Sequence, residues 1–83
     1  MTVRVLYFSV LQDLTGTAEW DEKLPTDREW TLGDLLERLW ERTPALRDWD
    51  GRLLLAVNQR WADREQPLVD GDEVAIMPPV QGG

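Results

Sequence analysis

The stretch Thr31–Trp40, TLGDLLERLW, decides how the rest of the chain is read. Leu32, Leu35, Leu36, Leu39 and Trp40 recur at helical spacing, which predicts an α-helix with one apolar stripe. Glu37, Arg38, Glu41 and Arg42 fall largely off that stripe. Thr31 is a good N-cap, and Asp34 sits three residues on, a near-capping box with Asp in place of Glu. Pro44 stops the helix near Thr43, because the residue before proline is pushed out of the helical region.

Strand patterns flank this helix on both sides. Thr2–Phe8, TVRVLYF, is rich in β-branched and aromatic residues. Alternation puts Val3, Val5 and Tyr7 on one face and Arg4, Leu6 and Phe8 on the other. SVLQDLTG reads as a turn or short helix stopped by Gly16, Thr17–Leu24 as a weaker strand, and PTDRE as a loop. After the helix, ALRDWDG is a short turn-rich connection. Arg52–Asn58, RLLLAVN, is nearly continuously apolar and reads as a central, buried strand. A short strand is expected around Trp61, and Asp70-Gly71 marks a tight turn. EVAIMP is the last strand, with Val74 and Ile76 facing one way and Glu73, Ala75 and Met77 the other. Pro78-Pro79 ends it, because proline cannot donate to a ladder.

Two strands, a crossing helix and further strands give an α+β fold: a mixed sheet of four or five strands with one main helix packed on one face. The order fits the β-grasp arrangement of ubiquitin-like domains. A split ferredoxin-like fold is the runner-up, but it wants a second helix of real length. We expect a β-grasp domain over residues 1–77 and an extended C-terminal tail over 78–83. Tyr7, Leu36, Leu55, Val74 and Ile76 read as core. Trp20, Trp30 and Trp49 carry no functional reading.

Composition narrows the function classes. The 83 residues make one domain, and 42% of them, with five tryptophans, are apolar enough to fill a modest core. Sixteen acidic against nine basic residues leave a net charge of −7. That argues against nucleic acid and against an anionic membrane surface, and allows a basic protein partner. It also serves solubility alone. The chain has no cysteine and no histidine, which excludes disulfides, thiolate metal sites, thiol catalysis and histidine triads. No apolar run approaches the roughly 20 residues of a membrane span and no signal peptide opens the chain, so a cytoplasmic protein is the expectation.

The tail Pro78-Pro79-Val80-Gln81-Gly82-Gly83 then asks for a reading. Fully extended it reaches roughly 20 Å. The proline pair biases its start toward polyproline II, so it leaves as a projecting arm. Gly82 and Gly83 lack Cβ and can pass a narrow channel. The α-carboxylate of Gly83 is the only titratable group at the tip. A carboxylate is a poor electrophile and must be activated, for instance as an acyl-adenylate. With no Gly-rich phosphate loop, this chain cannot hold ATP alone, and with no cysteine it cannot carry a persulfide. A group loaded on Gly83 by other proteins is the logic of a carrier. A frayed end is the plain alternative.

Val57–Gly83, VNQRW…PLVDGDEVAIMPPVQGG, resembles the MoaD family, the small sulfur-carrier subunit of molybdopterin synthase. The Asp70–Val74 turn and strand, Pro78-Pro79-Val80 and the closing Gly82-Gly83 carry the likeness, and VRVLYFSVLQDLTG is similar to the family's first strand and short helix. Gln12 stands where relatives often have Arg, and Gln81 where they often have Ser or Thr. The resemblance implies a β-grasp fold and a cycle. An adenylating enzyme of the ubiquitin-activating type uses ATP to attach AMP to Gly83, and a sulfur donor converts it to a thiocarboxylate. The tail then enters the large synthase subunit, in a heterotetramer, and passes sulfur to cyclic pyranopterin monophosphate. The carrier binds no cofactor and is not an enzyme on its own. Catalytic side chains lie on the large subunit.

Strand parity adds a docking surface. The face marked by Arg4 and Glu73 also carries Leu6, Phe8, Ala75 and Met77. First and last strands of a β-grasp sheet are parallel neighbours, so Phe8 and Met77 meet where the tail departs. The resemblance places Trp61 beside them. The expected partner interface is therefore Phe8, Trp61 and Met77, continued by Pro78, Pro79, Val80 and Gln81. A covering loop or helix over a second small core is the alternative. Three other functions stay open: a carrier for thiamine thiazole, cysteine or tRNA thiolation, a ubiquitin-like modifier joined to target lysines, and an interaction module with an idle tail.

Overall fold

The computed structural model describes residues 1–79. Along the chain lie β1 (Thr2–Tyr7), α1 (Val10–Thr15), β2 (Glu19–Lys23), β3 (Trp30–Thr31), α2 (Leu32–Arg42), a 3-10 helix (Pro44–Trp49), β4 (Leu54–Val57), β5 (Arg60–Trp61), β6 (Pro67–Leu68) and β7 (Glu73–Met77). Helix α2 starts as its sequence requires. The Thr31 side chain accepts from the Asp34 backbone N–H at 3.2 Å, and the Asp34 carboxylate accepts from the Thr31 N–H at 3.0 Å. Two orphan donors of the first turn are satisfied by this box.

Five strands form one sheet in the order β2-β1-β7-β4-β5, and β3 and β6 form a separate two-stranded ladder. β1 and β7 are parallel and the other pairs antiparallel. Val3, Val5, Tyr7, Val74 and Ile76 cover the inner face and meet Leu32, Leu35, Leu36, Leu39 and Trp40 of α2 in one buried core. Each such side chain contributes about 1.5–3 kcal/mol by leaving water. This is the β-grasp arrangement, with one long helix on one face of a mixed sheet. The second long helix of the ferredoxin-like alternative is not among the described elements.

Several local readings are corrected. β4 lies inside the sheet but is not its middle strand: β7 is, and β4 is flanked on its far side only by the two-residue β5. Leu55, expected in the core, is half-buried at the core's edge. The apolar run that suggested double burial has another cause. Leu54 and Ala56 alternate onto the outer face, which is itself apolar. The turn-rich connection after α2 is a 3-10 helix that buries Leu46, with Pro44 at its start. The ladder of β3 and β6 is not among the expected strands, since two-residue strands carry no periodicity.

Backbone bonds tie β1 to the β7 segment at both ends. At Asp70-Gly71, Gly71 takes φ 86°, the left-handed region that only glycine enters freely. Its N–H donates to the Thr2 carbonyl oxygen at 2.8 Å, which ties β7's entry to β1's start. At the other end of β1, the Phe8 N–H donates to the Ile76 carbonyl oxygen at 3.2 Å. β7 ends at Met77, and Pro78 and Pro79 follow.

Candidate functional site

The outer face of the sheet has no helix on it, and the register orders its side chains in rows. Glu19, Leu6, Ala75, Ala56 and Trp61 lie across the five strands in one row. Toward β1's start lies a charged row of Asp21, Arg4 and Glu73. Toward the end of β7 lie Leu54 and Met77, paired directly, with Phe8 alongside. Phe8 is 41% exposed and Trp61 73% exposed, while Leu6, Leu54, Ala75 and Met77 are half-buried. No covering element closes over them among the described residues, so the alternative of a second small core is not what the structure shows. A contiguous apolar surface therefore borders the point where the chain leaves β7.

Trp61 owes its position to a polar anchor that sequence reading missed. The β4–β5 hairpin turns at Asn58 and Gln59, both at positive φ (51° and 68°), the pattern of a type I′ turn. The Asn58 N–H donates to the Glu73 carbonyl oxygen at 2.8 Å, and the Asn58 side-chain oxygen accepts from the Glu73 N–H at 3.0 Å. The Asn58 amide donates in turn to the Asp72 carboxylate at 2.9 Å, which also accepts from the Val69 N–H at 2.8 Å. Asp72 is buried; its bond from Asn58 fixes the hairpin to the start of β7, and its bond from Val69 closes the turn just before it. The signal was present in VNQRW and DGDE, where an Asn and an Asp sit at turns beside apolar runs.

Phe8 is held by a different device. Ser9 takes φ 58° and ψ −132°, a strained backbone for an L-residue, between Phe8 and α1. The Leu11 N–H donates to the Phe8 carbonyl oxygen and the Gln12 N–H to that of Ser9. Phe8 is thereby turned outward at the end of β1. Met77 is placed by β7's pairing on both sides.

The polar groups away from this face have structural partners. Glu22 is buried and accepts from Trp20 and Arg38 at 2.9 Å each and from Arg42. Trp20 lies under Arg42, Trp30 under Arg28, and Trp49 under Arg52, at 4.7, 4.4 and 4.9 Å from the ring centres. Among the described residues no group of three or more acidic, His or Cys side chains could hold a metal ion. No described helix is long and apolar enough to cross a membrane. Pro78 and Pro79 are half-buried at the edge of the apolar surface. Val80, Gln81, Gly82 and Gly83 lie outside the described residues.

Known proteins share this arrangement. The ThiS family model matches residues 5–83. The molybdopterin synthase sulfur carrier subunit of Escherichia coli is 39% identical, over 98% of this chain and 99% of its own. Small archaeal modifier protein 1 of Haloferax volcanii superimposes with a TM-score of 0.84 at 25% identity, over 95% of this chain and 98% of its own. Subunit 1 or 2 of molybdopterin-converting factor, in the complex of the two from Helicobacter pylori, matches with a TM-score of 0.68 at 27% identity, over 100% of each chain. A match of one family model to nearly the whole chain, joined to full-length likeness to sulfur carrier subunits on the same fold, places this chain in the ThiS family.

Proposed function

We propose that the chain is the sulfur carrier of molybdopterin synthase, a non-catalytic subunit of the molybdenum cofactor pathway working in the cytoplasm. Gly83 is adenylated by an enzyme of the ubiquitin-activating type, which consumes the ATP. A sulfur donor replaces AMP and leaves a thiocarboxylate. The large synthase subunit then receives the tail, and the sulfur passes to cyclic pyranopterin monophosphate. Phe8, Trp61 and Met77 dock on the partner, and Pro78–Gln81 lead Gly82-Gly83 into its active site. The carrier itself holds no cofactor.

One observation carries the reading: the apolar outer face ends at Phe8, Leu54 and Met77, where the chain leaves β7 toward Gly82-Gly83. A partner that covers this face receives the tail at the same time. The full-length likeness to a sulfur carrier subunit supports the choice of pathway. The likeness to a small archaeal modifier protein favours one second reading, transfer of the activated tail to lysines of other proteins.

Reconstitution tests the two together. The chain is incubated with adenylating enzyme, ATP, sulfur donor, large subunit and pterin substrate, and the mass of its last peptide is followed. A sulfur-for-oxygen change at Gly83 that disappears as molybdopterin forms supports the carrier. Activation without sulfur delivery, or isopeptide conjugates in extract, turns the assignment to the modifier.

A further inference from the structure

Trp61 stands on the two-residue strand at the edge of the sheet, and both residues of that strand are exposed. Beside it lies an open cleft of about 760 Å³, lined by Asn58, Gln66, Pro67, Val69 and Asp72. The chain beyond the strand is fastened to α2, where the Leu32 and Gly33 N–H groups donate to the Gln66 and Arg64 carbonyl oxygens at 2.8 and 2.9 Å. The hairpin tip is held by one side chain. Among residues 58–61, Asn58 alone makes described side-chain hydrogen bonds, one to Glu73 and one to Asp72.

These bonds have a fixed polarity. The Glu73 N–H can only donate and the Asp72 carboxylate can only accept. The Asn58 amide therefore has one allowed orientation, Oδ1 toward Glu73 at 3.0 Å and Nδ2 toward Asp72 at 2.9 Å. The other Asp72 oxygen accepts from the Val69 N–H at 2.8 Å.

We propose that Asn58 and Asp72 are a positioning pair for partner recognition: their hydrogen bond holds the hairpin out of the cleft and sets how Trp61 is presented on the outer face. The inference rests on the docking role given to Trp61 above, but the placement of the hairpin can be tested without a partner.

Polarity supplies the variants. Asn58→Asp sets two carboxylates against each other, and Asp72→Asn sets an NH2 group against either the Asn58 amide or the Val69 N–H. Made together, the two changes reverse donor and acceptor, and all three bonds return. Position 58 then accepts from the Glu73 N–H and from the amide at position 72, whose oxygen accepts from Val69. The double change also keeps the net charge of −7. Asn58→Gly, which suits the positive φ and loses both side-chain bonds, replaces any single variant that fails to fold.

Two readouts decide. The first is the NOE between the Trp61 ring and the methyl group of Ala56, its cross-strand partner, with the Tyr7–Ile76 pair as a core control. Each single change should lower the Trp61–Ala56 NOE by about half or more and leave the control intact, as local displacement requires, and the double change should restore it. The second is affinity for the large synthase subunit per folded molecule, by titration calorimetry with urea unfolding of each variant. Single changes should weaken binding about tenfold, the double change less than about threefold, and neither single change should weaken Trp61→Ala further. Folded single variants that keep the native NOE would overturn the inference, as would a double change no better than the singles. A lost NOE with native affinity would overturn the role in recognition. Native affinity of folded Trp61→Ala would instead remove Trp61 from the proposed docking surface, and the recognition role of the pair with it, so the two failures differ.

Discussion

Glu22 of β2 is held from helix α2 by Arg42, whose guanidinium donates to both carboxylate oxygens. The acid is buried, while its two arginine partners keep 36% and 44% of their side chains exposed. Burial pushes the Glu22 pKa up, but hydrogen bonds from Arg42, Arg38 and Trp20 outweigh it and hold the group below its ordinary 4.5. A lowered folded pKa means stability that is present above about pH 4.5 and lost as pH falls through the folded value.

Glu22→Gln should therefore cost about 2 kcal/mol at neutral pH, less than a fully buried pair because the arginines can return to water. The gap to the native chain should narrow as pH falls below 4.5. Urea unfolding at pH 7 and at pH 3 checks both statements. An equal gap at the two pH values would show that packing, not charge, holds β2 to α2.

Tyr7 is the only tyrosine, and it sits in the core with its pKa raised to about 12, by burial first and by the Glu22 charge second. The unfolded phenol titrates at 10.0, so the unfolded state loses its proton first as pH rises. Stability is then intact below pH 10 and falls between 10 and 12, by roughly 2–3 kcal/mol across that window. Phenolate absorbance should show a midpoint near 12 in the folded chain and near 10 in denaturant.

Most of this fold was legible because its elements are strongly patterned. The α2 stripe, its cap and the parity of β1 and β7 all match, since each rests on a period that burial enforces. Phe8 and Met77 could be placed together once β1 and β7 were read as parallel neighbours. What escaped is the support. The bonds of Asn58 and Asp72 and the positive φ at Ser9 join segments distant in sequence or depend on backbone angles, and neither leaves a periodic trace. The same limit misread β4, where outer-face apolar residues imitated a doubly buried strand.

Gln59 is exposed and occupies the second left-handed position of the β4–β5 turn, where a side chain is strained and glycine is not. Gln59→Gly should raise stability by about 0.5–1 kcal/mol, the relief exceeding the entropy added to the unfolded chain. A thermal scan should show a rise of several degrees. Asn58→Gly should act oppositely, because it removes the bonds to Glu73 and Asp72.

The outer face yields the functional test. Trp61 is 73% exposed, so Trp61→Ala removes little buried area and should leave the unfolding midpoint within about 0.5 kcal/mol of native. Met77→Asp puts a charge on the same face beside Leu54, at a half-buried position where some loss of stability, about 1 kcal/mol, is expected. If this face docks the large synthase subunit, both changes should weaken binding by about tenfold or more, the range for aromatic and apolar anchors at an interface centre. Titration calorimetry with the large subunit, paired with urea unfolding of each variant, separates the effects. Native affinity in folded Trp61→Ala and Met77→Asp chains would move the docking surface elsewhere. Reduced affinity explained entirely by the unfolded fraction would return Met77 to a purely structural role.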